Sequence, residues 1–283
     1  TDNDGDLDGP LAIGTGRIGV LLEAGGAMNG DIRIAGGSIS IEGNNSAGVS
    51  LRSNLNGSYV QRGTITLTGA NGVAVDIREN VSGNVTLGGT TIATGENTIG
   101  VNVLGDVGGE FSIDGSIIAT GFTSTTASNY IRPDLLQPSD KPVAERLDPD
   151  DLLIGGPAVA VRGNLAYGLL VNGPAGGGGR PTPDLKDVIQ NFNENRTTGS
   201  IQSFGSAPAL LIQSLDGAAG GQIRLGLARE SVRDTLDDDK DNDLDEIIGV
   251  FNYNYGLLNR GTIAATGHNV GIPSTAIRIA GSN

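Results

Sequence analysis

Three short β-type segments recur in a fixed order along this chain of 283 residues, and this repeat limits the available folds more than any other feature. The first segment joins a small residue to an alternating run. Its seven copies are Ile18-Gly19-Val20-Leu21-Leu22, Ala47-Gly48-Val49-Ser50-Leu51, Asn71-Gly72-Val73-Ala74-Val75, Ile99-Gly100-Val101-Asn102-Val103, Pro157-Ala158-Val159-Ala160-Val161, Pro208-Ala209-Leu210-Leu211-Ile212 and Thr275-Ala276-Ile277-Arg278-Ile279.

Two companion segments follow within each period. The second is seen at Gly30-Asp31-Ile32-Arg33-Ile34, Gly83-Asn84-Val85-Thr86-Leu87, Gly109-Glu110-Phe111-Ser112-Ile113, Tyr167-Gly168-Leu169-Leu170-Val171 and Gly221-Gln222-Ile223-Arg224-Leu225. The third is seen at Gly37-Ser38-Ile39-Ser40-Ile41, Gly63-Thr64-Ile65-Thr66-Leu67, Gly89-Thr90-Thr91-Ile92-Ala93, Gly115-Ser116-Ile117-Ile118-Ala119, Gly199-Ser200-Ile201-Gln202-Ser203 and Gly261-Thr262-Ile263-Ala264-Ala265. Each period therefore contains three short strands, and turn residues open them.

Alternation along these segments predicts which side chains face a core. Val73, Val75 and Ile77 are expected to point inward, and Ala74 and Asp76 outward. Glycines and asparagines between the segments suit corners with positive φ. An antiparallel β-sandwich also fits the turn spacing, but it does not predict three strand types in fixed order. The sequence therefore favours an all-β fold, a right-handed parallel β-helix (β-solenoid) with three short strands per coil and about seven coils.

Three stretches interrupt the repeat. We expect an acidic loop over 1–16, one solenoid over 17–283, and insertions at 122–155, 174–198 and 227–258. The first insertion is expected to leave after a third strand, and the other two after a second strand. Insertions in repeat proteins often form the binding face, and they are otherwise surface loops that tolerate length.

Two of these insertions contain a segment that is expected to be helical. Apolar residues at helical spacing predict a short helix over Asp184–Asn193, and Leu227–Leu236 is also interpreted as helical. We therefore expect loops and short helices rather than further strands in the insertions.

The composition excludes several functions. There is no cysteine, so disulfides, thiolate catalysis and cysteine-ligated zinc are excluded. The net charge is −14, which disfavours nucleic acids and anionic membranes as partners. We expect neither a transmembrane segment nor a signal peptide within these residues. Because the chain starts and stops within what reads as a coil, we expect a piece of a longer protein.

Two acidic runs resemble each other and predict calcium binding, since alternating aspartates can place several oxygens around one hard cation. The candidate ligands are Asp2, Asp4, Asp6, Asp8, Asp237, Asp239, Asp241, Asp243 and Asp245. The first run begins like an EF-hand loop, but Ile13 stands where the bidentate glutamate belongs. The alternative is a solvated acidic run that holds no ion.

Other motifs favour structural explanations. Gly14-Thr15-Gly16-Arg17-Ile18-Gly19 matches a dinucleotide-binding pattern, but a strand rather than a helix is expected after it, so it is interpreted as a turn. His268 is the only histidine and is interpreted as a turn residue.

The outward positions of the first strand are Leu21, Ser50, Ala74, Asp76, Asn102, Ala160, Leu211 and Arg278. Acids do not accumulate there, so a carboxylate pair for glycoside hydrolysis is not visible.

The stretch from Asn71-Gly72-Val73-Ala74-Val75 through Gly89-Thr90-Thr91-Ile92-Ala93-Thr94-Gly95-Glu96-Asn97 to Ile99-Gly100-Val101 resembles passenger domains of bacterial autotransporters. The resemblance implies a parallel β-helix exported across the outer membrane and displayed outside the cell. It also implies adhesion, aggregation or biofilm roles, and it carries over no catalytic residue.

We therefore expect an extracellular structural or adhesive module at the bacterial outer-membrane surface, with no catalysis and with protein or cell-surface partners, a second copy of the chain included. One alternative is a subunit of a surface layer or filament that assembles through the insertions and Ca²⁺. The other is a β-helix enzyme that acts on polysaccharides.

Overall fold

The computed structural model describes residues 12–121, 153–173, 198–214, 222–233, 247–267 and 273–280. About half of the structure is strand, and the described residues contain no helix. It follows that the described part holds no helix with the length and hydropathy needed to span a membrane. The predicted helix over Asp184–Asn193 lies outside these residues.

Three parallel sheets account for most of the strands. The first sheet contains β1 (Ile18–Leu22), β5 (Ala47–Leu51), β9 (Val73–Ile77), β12 (Ile99–Val103), β15 (Val159–Val161), β18 (Leu210–Gln213) and β23 (Ile277–Ala280). The second contains β3 (Ile32–Ile34), β7 (Tyr59–Gln61), β10 (Val85–Leu87), β13 (Phe111–Ile113), β16 (Leu169–Val171) and β21 (Leu257–Asn259). The third contains β4 (Ser38–Glu42), β8 (Thr64–Thr68), β11 (Thr90–Thr94), β14 (Ser116–Thr120), β17 (Ser200–Phe204) and β22 (Thr262–Thr266).

Two small sheets complete the described structure. The strands β2 (Met28–Asn29) and β6 (Leu55–Asn56) pair in parallel. The strands β19 (Arg229–Arg233) and β20 (Ile247–Asn252) pair antiparallel and form a hairpin.

In the three large sheets, the spatial order of the strands follows their order along the chain. Each visit of the chain to a sheet therefore adds a strand beside the previous one. The pairing is parallel throughout, as connections that return to the same side require. This arrangement is consistent with a β-solenoid and confirms the prediction of stacked parallel strands over that of an antiparallel sandwich.

The register of the third sheet matches the predicted repeat at all six copies. One column of this sheet contains Ile39, Ile65, Thr91, Ile117, Ile201 and Ile263. The hydroxyl residue of each copy and the β-branched residue after it, isoleucine in five copies and Thr91 in the other, therefore align as the sequence predicts.

The first and second sheets differ from the prediction in two places. Val49 pairs with Val75 rather than Val73, so the third copy of the first segment is displaced by two residues. The displacement preserves the faces because side chains alternate with a period of two. In the second sheet, Leu169 pairs with Leu257, whereas Leu225 only bridges Leu165. The predicted second strand at 221–225 is therefore wrong, and the stack resumes at β21, inside the predicted insertion 227–258.

A column of small residues lets the first sheet approach the third. A methyl group added at Gly48 would overlap Ile65 Cγ2 and the carbonyl oxygen of Ala74. Ala74 occupies the same column and is fully buried in the core, so the predicted outward orientation of Ala74 is wrong. Adjacent residues of a strand normally face opposite sides of the sheet. Here Ala74 and its neighbour Val75 both contribute to the core, so the alternation does not hold at this position.

Asparagines form several corners of the coils. Asn45, Asn71 and Asn97 have φ values of 50°, 55° and 54°, which few other side chains tolerate. Gly16 has a φ of 69° and the chain then enters β1, so the turn interpretation of the glycine motif is confirmed.

A row of polar side chains links successive coils. Asn54 Oδ1 accepts a hydrogen bond from the backbone N–H of Asn80 at 3.2 Å, and Asn80 Oδ1 accepts one from Asp106 at 2.8 Å. Asp106 Oδ1 accepts from the N–H of Asn164 at 2.8 Å, and Asn164 Oδ1 from that of Arg224 at 2.9 Å. Each side chain therefore satisfies a turn amide in the next coil.

The core also contains polar groups. Gln61 and Thr91 are buried, and Gln61 Nε2 donates to Thr91 Oγ1 at 3.0 Å. Tyr59 is fully buried, and its hydroxyl has no partner among the described residues. Burial raises the pKa of Tyr59, because the charged phenolate is poorly solvated in the core.

The prediction of a helix over Leu227–Leu236 is wrong for its described residues, since Arg229–Arg233 form strand β19. Alternation explains the difference. Ala228 and Glu230 are buried on one face, whereas Leu227 is 57% exposed on the other. The described part of this segment therefore has the two-residue period of a strand.

The variant Gly48→Ala should lower the free energy of unfolding by about 1–3 kcal/mol, because the added methyl group has no room between the first and third sheets. Gly26→Ala is a matched control, since a methyl group there meets no atom within 4 Å. Chemical denaturation followed by circular dichroism measures both variants. Equal stability of the two would contradict the tight packing of this column.

Candidate functional site

A cluster of interacting charged and polar side chains lies where the hairpin β19–β20 meets the second sheet. We call this set the hairpin junction. It contains Glu110, Asp114, Tyr167, Asn172, Arg229, Glu230, Ser231, Tyr253 and Arg260. Three of these residues belong to β19, and Tyr253 directly follows β20. The other five lie within two residues of the second-sheet strands β13, β16 and β21.

Glu110 holds the outer edge of β19. It precedes β13 and accepts hydrogen bonds from the backbone N–H of Ser231 at 3.1 Å and from its hydroxyl at 2.5 Å. The Arg229 guanidinium lies 3.1 Å from Glu110 Oε1 and stacks over the ring of Tyr167, with 4.8 Å between Cζ and the ring centroid. One carboxylate therefore binds the backbone, a hydroxyl and a cation of the same strand.

Glu230 forms the buried centre of the junction. Its side chain is 4% exposed, and that of Arg260 is 8% exposed. Glu230 Oε2 accepts from Arg260 Nη2 at 2.8 Å and from the Tyr253 hydroxyl at 2.6 Å. Because both charges are removed from water, each depends on the other for its stabilisation.

Arg260 connects this centre to a corner of the stack. Its Nη2 donates to Asn172 Oδ1 at 2.7 Å, and Asn172 Nδ2 donates to Asp114 Oδ1. Asp114 directly follows β13, Asn172 follows β16 and Arg260 follows β21. The three residues therefore occupy equivalent positions in the register of the second sheet. Three successive coils therefore contribute to one chain of hydrogen bonds.

The carboxylates of the hairpin junction bind groups of the protein itself and attach the hairpin to the stack. Both oxygens of Glu110 and Oε2 of Glu230 accept bonds from within the protein. General acid–base catalysis instead requires a carboxylate within hydrogen-bond reach of a substrate proton. The junction fixes the hairpin to the stack.

A second polar group lies on the outer face of the first sheet. Ser50, Asp76 and Asn102 occupy one column of this face and are buried. Asp76 accepts from Arg78 Nε at 2.5 Å and from Asn102 Nδ2 at 2.9 Å. Asn102 Oδ1 has no hydrogen-bond partner in the described part of the chain. The column contains one carboxylate, and a carboxylate pair requires two.

The predicted calcium ligands and His268 all lie outside the described residues. Within the described residues, no group of three or more histidine, cysteine, aspartate or glutamate side chains is arranged to hold a metal ion. The calcium sites at Asp2, Asp4, Asp6 and Asp8, and at Asp237, Asp239, Asp241, Asp243 and Asp245, stay predictions.

No family model matches this chain, and the searches of curated proteins and of solved structures return no match. The interpretation of its function therefore depends on the repeat, the stacked sheets and the hairpin junction.

The repeat pattern does not reveal the hairpin junction, because the members of the junction are far apart in the sequence. Glu110 and Ser231 are 121 residues apart. One signal was present: positions 247–259 contain no charged residue, although the net charge of the whole chain is −14. Such a run within an acidic insertion is typical of a segment that packs against something.

Glu230→Ala should release the hairpin and lower the free energy of unfolding by about 3–5 kcal/mol, because Arg260 stays buried without its carboxylate. Hydrogen exchange should rise over β19 and β20 and stay low in β9 and β12. Glu230→Gln keeps an acceptor and should have a smaller effect. Glu79→Ala is the control at an exposed glutamate. Unchanged exchange over the hairpin in Glu230→Ala would show that the ion pair does not hold it.

Proposed function

We propose that this chain is an extracellular structural or adhesive module that displays its insertions from a rigid stack, without catalysing a reaction. The observation that carries the proposal is the unbroken parallel pairing through three sheets of seven, six and six strands. A stack of this kind places loops and a hairpin at fixed positions along one body.

Two features of the described residues support the proposal. The hydrophobic core of the described residues consists mainly of Val, Leu and Ile side chains in register from coil to coil. The carboxylates of the hairpin junction are occupied by anchoring bonds. Both features stabilise a scaffold.

The full form of the proposal is a right-handed β-helix of about seven coils at the bacterial outer-membrane surface, like an autotransporter passenger domain. Right-handedness follows the strong preference of crossover connections between parallel strands of one sheet. The autotransporter likeness rests on the repeat motifs of the sequence.

Display of this chain on a non-adherent bacterial host, through an unrelated anchor, should cause surface attachment or cell clumping. The matched control is the same anchor carrying an unrelated domain of similar size. Crystal-violet retention and the settling rate of the culture measure the two effects. If both strains behave alike at equal display, the adhesive proposal is wrong.

The second candidate function, a surface-layer or filament subunit that assembles through calcium, is supported by the alternating aspartates over Asp237–Asp245. Calcium should then raise the assembly size in light scattering, and a chelator should reverse the change. The quadruple variant Asp239→Asn, Asp241→Asn, Asp243→Asn and Asp245→Asn should lose the response. If the quadruple variant responds to calcium as the native chain does, this acidic run has no role in the assembly.

A further inference from the structure

The two edges of the hairpin differ in what they contact. In an antiparallel pair, successive residues of a strand direct their N–H groups alternately towards and away from the partner strand. The N–H of Ser231 points away from β20 and is bound by Glu110. The N–H of Tyr253 points towards β19 and is bound by the carbonyl of Ala228. The edge of β19 is therefore covered.

The same alternation identifies the outward groups of β20. Because Tyr253 and Phe251 face β19, the N–H groups of Val250 and Asn252 point to the opposite side. No described residue pairs with this side of β20. Val250 is 40% exposed, and Asn252 is exposed as well. An edge strand of this kind is a template for another strand.

The surroundings of this edge are neutral and apolar in an acidic chain. No charged residue occurs between 247 and 259, whereas the chain carries a net charge of −14. Two large hydrophobic residues of this uncharged segment are exposed: Val250 at 40% and Tyr255 at 61%. Exposed apolar residues grouped in this way mark interaction surfaces.

We propose that the outer edge of β20 pairs antiparallel with β20 of a second copy of this chain and so forms a twofold dimer. Antiparallel pairing of a strand with itself is self-complementary, as a twofold interface requires. Two copies that each carry −14 repel each other, so their contact needs a surface without charge, which this segment supplies. The pairing goes beyond the proposed function, because it does not require display on a cell.

The test uses the full chain in sedimentation equilibrium over a wide concentration range. Val250→Pro removes the outward N–H but keeps the hydrogen bonds between β19 and β20, since those involve the neighbouring residues. Val250→Lys places a charge on the edge. Both variants should weaken the dimer roughly tenfold or more, which corresponds to the loss of one or two hydrogen bonds.

The matched control is Leu227→Lys, which makes the same change of charge on the solvent face of the hairpin, away from the β20 edge. It should leave most of the dimerisation intact. Because both lysine variants lower the net negative charge, weaker pairing of Val250→Lys cannot come from greater repulsion between the net charges of the two copies. Hydrogen exchange of the 247–252 segment should slow as concentration rises in the native chain and in Leu227→Lys, but not in the two Val250 variants.

Three results would overturn the proposal. The first is a native chain that stays monomeric at every concentration. The second is a dimer that both Val250 variants retain, which would place the contact elsewhere. The third is a monomeric chain that binds an extended peptide of another sequence at 247–252, which would assign the edge to a different partner.

Discussion

Register between coils is the constraint on which the rest of this structure depends. The backbone groups of each coil bond to the coils on either side, and a slip of one residue would turn every core side chain outward. Val49, Val75 and Val101 are fully buried at the same register position of consecutive strands. Side chains at the corners enforce this alignment. The row that includes Asn80 and Asp106 binds amides one coil away, and such bonds form in one register only.

The hairpin is an element that the stack both stabilises and positions. A two-stranded hairpin is at most marginally stable in water. This one is held by a buried ion pair between Glu230 and Arg260 and by the three donors that surround Glu110. A buried ion pair adds little net stability over apolar packing, since both charges lose hydration. Its contribution is directional: it sets which face and which edge of the hairpin meet the stack.

Sequence reasoning predicted the parts of the fold that depend on local periodicity. The third segment aligns at every copy, because a turn glycine, a hydroxyl residue and an inward apolar residue define it independently. The first segment slipped by two at Val73, since Val73 and Val75 fit the alternation equally well. The second segment at Tyr59 has its glycine at Gly57 but was missed because Gln61 stands where the second apolar residue is expected, and Leu257 was hidden inside an insertion. The hairpin junction depends on contacts over long sequence distances, which no local pattern encodes.

The location of unpaired backbone groups decides where a stack of this kind can bind. Between the end strands of the three sheets, each strand lies between two neighbours and its backbone bonds are satisfied. Glu110 covers the exposed edge of β19, which is the role that charged side chains often have at sheet edges. The neighbouring edge at Val250 has no such cover among the described residues and lies in an uncharged segment. One edge of the hairpin is thus covered by a carboxylate, and the other edge is left without a described partner. This difference supports the proposal that the β20 edge pairs with another strand.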